Sequence, residues 1–244
     1  NSNIDLKINV NKQDINKIIT HLPKKLKDIT SEFTVAGKIT LNGSIKGIID
    51  KENNPFLDMR YLINGGAIKF KNNTFELSDI QMKGVLNNGD SKNLNSTQIK
   101  TDIFKAQTRN GDIDGKFILQ NMNSYFLDAE FKSSWDLSEV NQYFDKSNFM
   151  KLKGKIFTNT IYQGNIAADS QFKKMFLNAY HKSDIKLQNV KFNFLQSPLN
   201  FIFESADLKL ENHKLLANSL QSTISETDFN FKGQILNFIA YIID

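Results

Sequence analysis

The sequence predicts a mainly β protein, a largely antiparallel sheet with a few short helices. Three observations carry this: apolar and polar residues alternate at period two, Gly/Asn clusters separate the alternating runs, and helical periodicity is scarce. From Phe33 the odd positions read Phe33, Val35, Gly37, Ile39, Leu41, Gly43, Ile45 and Gly47, while the even ones from Thr34 to Lys46 are polar except Ala36. Successive strand side chains point to opposite faces, so this run is a half-buried strand or a hairpin. A second run sets Leu127, Ala129, Phe131, Ser133, Trp135 and Leu137 against Asp128, Glu130, Lys132, Ser134 and Asp136. Shorter alternating runs lie at 117–119, 152–156, 190–194, 201–203, 208–210 and 229–235. Turn chemistry is read at Asn64-Gly65-Gly66, Asn87-Asn88-Gly89-Asp90, Arg109-Asn110-Gly111-Asp112 and Asp114-Gly115. Strands with one apolar and one polar face belong to antiparallel sheets wet on one side, not to a doubly wound parallel sheet.

Four short helices are expected. Asp14 caps a segment whose apolar face is Ile15, Ile18, Ile19 and Leu22, ending at Pro23. Asp169 or Ser170 caps another, with Phe172, Met175, Phe176 and Ala179 on one face. Residues 137–144 and 236–243 read as single short helices that close off strands or cover a sheet.

The stretch 68–81 echoes 208–221 without gaps. Lys69, Asn72 and Gln81 match Lys209, Asn212 and Gln221, and four further apolar places agree. A strand–Asn turn–strand unit used twice is what a repeating β architecture shows, and repeats extend one continuous surface.

The 244 residues allow one large all-β domain or two small ones. With 40% hydrophobic residues and 20 Phe, the chain has the material for a core, which excludes intrinsic disorder. Cys 0 excludes a disulfide scaffold, and only 3 Pro excludes a Pro-rich linker. The net charge of +5 suits an anionic partner, but the lysines are spread evenly and form no basic stripe, so nucleic acid is not an expected partner. The longest apolar stretch, 235–243, is broken by Asn237 and is far short of the ~20 residues that span a bilayer.

Catalytic chemistry has no constellation. His21, His181 and His213 lie far apart in sequence, no HExxH occurs, and without Cys no thiol nucleophile exists. No GxSxG, GxGxxG or P-loop is present. Asp112 and Asp114 before Gly115 faintly resemble a calcium loop, but the EF-hand spacing and its terminal Glu are missing. Asp128, Glu130 and Asp136 alternate with Phe131 and Trp135, which reads as a solvated strand face rather than a glycosidase pair. No enzyme activity, metal or cofactor is expected.

The apolar face itself remains. In a sandwich two such faces close on each other. In an open, curved sheet the same face lines a trough, and a ligand supplies the missing half of the core. Periodicity does not separate these outcomes, and on physics alone the closed core comes first.

The stretches Phe75-Glu-Leu-Ser-Asp-Ile-Gln-Met-Lys-Gly-Val-Leu-Asn-Asn-Gly89, Gln98-Ile-Lys-Thr-Asp-Ile-Phe-Lys-Ala106, 115–131 and Trp135-Asp-Leu-Ser-Glu-Val-Asn-Gln-Tyr-Phe144 follow one another along the chain. Together they resemble the AsmA-like family of Gram-negative envelope proteins. The end, 228–243, resembles the C-terminal strand-and-short-helix unit of the Bacteroidetes-type members. The order of these stretches, over most of 5–244, carries the resemblance. That family is similar to the bridge-like lipid-transfer proteins, whose β-sheet curls into a taco-like groove with an apolar inside.

The resemblance implies a single elongated β-groove domain over 1–244, the C-terminal portion of a longer envelope protein. It further implies a periplasmic location, tethered to the inner membrane through a segment missing from this chain. The expected activity is non-enzymatic: binding and transfer of phospholipid or another acyl lipid, in support of outer-membrane integrity. Inner- and outer-membrane surfaces or envelope proteins are the other expected partners. The residues expected to line the groove are Phe33, Val35, Ile39, Leu41, Ile45, Phe117, Leu119, Leu127, Phe131, Trp135, Phe192, Phe194, Phe201, Phe203, Phe229 and Phe231. Two alternatives stay open: a factor that helps outer-membrane proteins assemble without carrying lipid, and a secreted carbohydrate-binding β-sandwich. Trp135 and most Phe residues lie in phase with the apolar face, which counts against the sandwich.

Overall fold

The computed structural model describes residues 2–20, 33–71, 76–140, 149–166, 172–194 and 199–238. Twelve strands take up about 75% of them. In chain order these are β1 (Ser2–Asp14), β2 (Phe33–Ile49), β3 (Phe56–Phe70), β4 (Glu76–Asn87), β5 (Gln98–Gln107) and β6 (Asp112–Gln120). There follow β7 (Phe126–Asp136), β8 (Phe149–Asn165), β9 (Tyr180–Phe194), β10 (Asn200–Glu211), β11 (Lys214–Ile224) and β12 (Thr227–Ile235). Three short helices interrupt them: α1 (Ile15–Ile19), α2 (Leu137–Val140) and α3 (Phe172–Asn178). Strand order in the sheet is sequence order, and β1 and β12 are its terminal strands. Such a meander needs only short connections and no crossover helix.

The helices lie where their signals are. Asp14 caps α1 by accepting from the Asn16 N–H at 2.8 Å. Asp136 accepts from the Ser138 N–H at 2.9 Å and starts α2. The expected caps Asp169 and Ser170 lie outside the described residues, as do Leu22, Pro23 and residues 141–144 and 239–243.

Two of the expected turns are not turns. Gly65 and Gly66 lie inside β3, where the pairing with β4 slips between Ile63 and Gly66. Gly65 has φ +63, a left-handed conformation that glycine adopts at no steric cost, so the pair makes a bulge. Asp114-Gly115 likewise runs straight through β6. The other two clusters do connect strands, β4 to β5 and β5 to β6.

The chain forms two compact units. The first comprises Asn1–Gln107, Asp114–Ala129 and Asn165–Ala167. The second comprises Thr108–Ile113, Glu130–Gly164 and Ala168–Asp244. Within the first unit β1 to β5 pair antiparallel, each with its sequence neighbours. Within the second, β8 to β12 do the same. Both sequence echoes fall on such hairpins, β3–β4 and β10–β11; residues 72–75 of the first lie outside the described residues.

Candidate apolar binding face

Directly opposed residues on antiparallel strands share a face. In the first unit the registers therefore align side chains into rows that cross the strands. One row is Ile8, Gly43, Met59, Leu86 and Ile99. The next is Val10, Leu41, Tyr61, Gly84 and Thr101, and a third is Gln13, Ile39, Ile63, Met82 and Phe104. Leu6, Ile45 and Leu57 add one end, and Val35, Ile68 and Leu77 the other. No position in these rows is charged. The opposite face carries the ions, as in the row Asn9, Asn42, Arg60, Val85 and Lys100 and in the Lys46–Asp5 pair at 3.7 Å. A depression of about 460 Å³ lies chiefly on that polar face, lined by residues including Arg60, Leu62 and Lys83.

The second unit repeats the pattern. Ile156, Leu187, Ala206, Leu220 and Phe231 form one row, and Thr158, Ile185, Leu208, Ala217 and Gly233 the next. A third joins Thr160, Ser183, Leu210, Leu215 and Ile235. Beyond a bulge, Val190 aligns with Phe203, Ser222 and Phe229, and Phe192 with Phe201 and Ile224. These rows also contain no charge. The Phe192 ring stacks on Phe201 at 5.2 Å and meets Phe203 edge-on at 5.3 Å.

The rows are wide but shallowly buried. Of the expected lining residues only Ile39 and Phe192 are buried. Phe33, Val35, Leu41, Ile45, Phe117, Leu119 and Leu127 are half-buried in the first unit. Phe131, Trp135, Phe201 and Phe203 are half-buried in the second. Phe229 and Phe231, on terminal strand β12, stay 46% and 43% exposed. The backbone of Phe194 pairs with Phe149, but its side chain lies outside the described residues. Phe117 is brought beside Phe104, its ring edge-on at 6.1 Å. Among the described residues of each unit, the strands make their extensive contacts with sequence neighbours. Within each unit the described strands belong to one open antiparallel sheet in sequence order.

Several members of the face are not among the expected lining residues. Ile4, Leu6, Ile8 and Val10 of β1 alternate with Asp5, Lys7 and Asn9 as cleanly as β2 does, so that signal was legible. Met59 and Tyr61 likewise alternate with Asp58 and Arg60, and the register sets them opposite Gly43 and Gly84.

Polar groups on this face are satisfied locally. Tyr61 crosses over Gly84, and its hydroxyl lies 2.5 Å from Thr101 Oγ1, a side chain 1% exposed. Burial pushes the Tyr61 phenol above its ordinary value of 10.0; the Thr101 bond opposes this and the Asp102 charge adds to it. A raised phenol favours the neutral form in the folded state, so its stabilising contribution is present below about pH 10 and is lost as pH rises through the raised value. Tyr61→Phe should strand the buried Thr101 hydroxyl at a cost of about 1–3 kcal/mol. Thermal melts between pH 9 and 11 check both points: the variant should melt several degrees lower at neutral pH and show a weaker alkaline decline.

In the second unit the Trp135 indole N–H donates to Ser133 Oγ at 2.8 Å, and Ser133 and Thr158 share a hydrogen bond of 2.8 Å. Thr160 and Ser183 share another at 2.9 Å. At one end of these strands His181 is 2% exposed, its ring edge-on to His213 at 6.1 Å. Burial first, and the His213 charge second, hold His181 below its ordinary 6.5, against a raising hydrogen bond with Asn212. A lowered imidazole favours the neutral fold, so stability is complete above about pH 6.5 and falls as pH drops through the lowered value. Between pH 7 and 5 the wild type should lose more melting temperature than His181→Phe. Equal slopes would remove His181 from that acid response.

Carboxylates singled out for other chemistry have structural partners. Asp114 pairs with Lys105 at 3.3 Å, and Asp112 accepts from the Ser134 hydroxyl. Among the described residues no group of three His, Cys, Asp or Glu side chains is placed to hold a metal ion. No described helix is long and apolar enough to cross a membrane.

Comparison with known proteins finds no family model that matches the chain, and no match among curated proteins or solved structures.

Proposed function

We propose that this chain is a non-enzymatic lipid-binding and lipid-transfer protein of the Gram-negative envelope. It shields phospholipid acyl chains against the uncharged face of its sheet and supports outer-membrane integrity from the periplasm. One observation carries the reading: uncharged rows run across five strands in each unit, and most of their side chains are only half-buried. Apolar area left in water costs roughly 25 cal/mol per Å², so a contiguous face of this kind is stabilised by an apolar occupant. An acyl chain has the right chemistry, because it needs no charged or donor partner along its length. The AsmA-like resemblance of 75–89, 98–106 and 228–243 supports the same occupant and the periplasmic, membrane-tethered setting.

A second reading, chaperoning of other β-chains, is favoured by one feature. β12 is a terminal strand whose Phe229, Phe231 and Ile235 are exposed, and such an edge can pair with a further strand. Extracting the purified protein with organic solvent, followed by lipid mass spectrometry, separates the two. Near-stoichiometric phospholipid is the expected result. A lipid-free protein that captures unfolded porin would replace lipid carriage with the second reading.

A further inference from the structure

The apolar face of the second unit carries two pairs of hydroxyls on adjacent rows. Thr158 and Thr160 lie two residues apart on β8, about 6–7 Å along the strand. Thr158 is bonded to Ser133 and Thr160 to Ser183, which is itself buried. Counting protons shows what these pairs leave over. In the first pair Trp135 donates to Ser133, and one of the two hydroxyl protons makes the Ser133–Thr158 bond. Among the described residues the other proton has no acceptor. In the second pair one hydroxyl proton makes the bond and the other is again left. Each hydroxyl carries one donor, so the two pairs together hold two unused O–H donors on a largely apolar, uncharged surface.

Resting on the lipid-holding reading above, we propose that these two hydroxyl pairs bind the carbonyl oxygens of an ester-linked diacyl lipid. The adjacent row Ile156–Leu187 and the continuation of the Thr160–Ser183 row through Leu210 and Leu215 are apolar and suit the chains that leave such esters. None of the aligned positions carries a charge, so a phosphate or a free carboxylate placed here would be desolvated without a cation. An ester carbonyl is uncharged, accepts hydrogen bonds and donates none, which is the complement of spare O–H groups in an apolar setting. The lipid is then held in register along the sheet by its ester junction, and its charged headgroup lies away from these rows.

The test compares dioleoylphosphatidylcholine with its diether counterpart, which has the same chains and headgroup but no carbonyl. Each is offered to the full chain from single-component vesicles, and bound lipid and affinity are measured. The wild type should hold the diester at least about fivefold more tightly, as two net hydrogen bonds imply. The quadruple variant Ser133→Ala, Thr158→Val, Thr160→Val and Ser183→Ala, which removes every hydroxyl of both pairs, should bring that ratio below about two. Equal binding of both lipids by the wild type would overturn the ester assignment and leave the lipid-holding reading standing. A preference that survives in the folded quadruple variant would also overturn it. Binding of neither lipid would remove the lipid-holding reading, and this inference with it. The wild-type comparison requires no substitution, so it decides even where the quadruple variant does not fold.

Discussion

Leu41→Asp should leave the chain folded and strip it of lipid. Leu41 is half-buried in the row between Val10 and Tyr61, with water able to reach its position. A carboxylate there stays hydrated when the face is empty, and the lost packing is less than the roughly 2–5 kcal/mol of a fully buried Leu. An acyl chain laid on the same spot would desolvate an unpaired charge at a cost of several kcal/mol, so bound lipid should fall by at least about tenfold. Phe131→Asp, on β7 of the second unit, should behave alike. The buried members supply the contrast. Ile39→Asp and Phe192→Asp place the charge where water has little access, and either should unfold its unit. Melting temperature and bound lipid measured together on all four variants check this. Collapse of the Leu41 and Phe131 variants would mean that the face is a sealed core.

Gly84→Val should severely destabilise the first unit. A Cβ at Gly84 would lie 2.0 Å from the Lys100 carbonyl oxygen and 2.6 Å from the Tyr61 hydroxyl. The tyrosine could swing away, but the carbonyl belongs to the paired strand β5, so β4 and β5 would have to part. Overpacking of this kind costs about 3 kcal/mol or more, a large share of a typical 5–15 kcal/mol stability. Gly65→Ala is the control, since nothing lies within 4 Å of a Cβ there and only the φ of +63 is strained. That change should cost about 1 kcal/mol. Urea titrations of the two variants should differ plainly in midpoint, with Gly84→Val soluble poorly or not at all.

Much of the fold is legible in the sequence because a half-wet antiparallel strand writes its own period. The alternation from Phe33 to Gly47 becomes one uninterrupted strand, and the run from Leu127 to Asp136 becomes β7. The misreadings at Gly65-Gly66 and Asp114-Gly115 share a cause. A glycine after Asn or Asp serves a turn and a bulge equally well, and the partner strand decides between them. Whether an apolar row is covered is a tertiary fact that alternation does not encode, because a closed sandwich and an uncovered sheet use the same pattern. The hydroxyl pairs were hidden for a further reason. Ser133, Thr158, Thr160 and Ser183 come from three strands, and in isolation each reads as an ordinary polar strand residue.

Site-specific photocrosslinking tests the central claim, that the uncharged face holds acyl chains, most directly. Leu41 and Asn42 are neighbours on opposite faces of β2, and Leu187 and Lys186 are neighbours on opposite faces of β9. Benzoylphenylalanine introduced at each position in turn, in protein equilibrated with phospholipid vesicles and then separated from them, reports which face the lipid occupies. The account predicts phospholipid adducts at positions 41 and 187 and none above background at 42 and 186. Adducts of equal yield on both faces, or on the charged face alone, would contradict it.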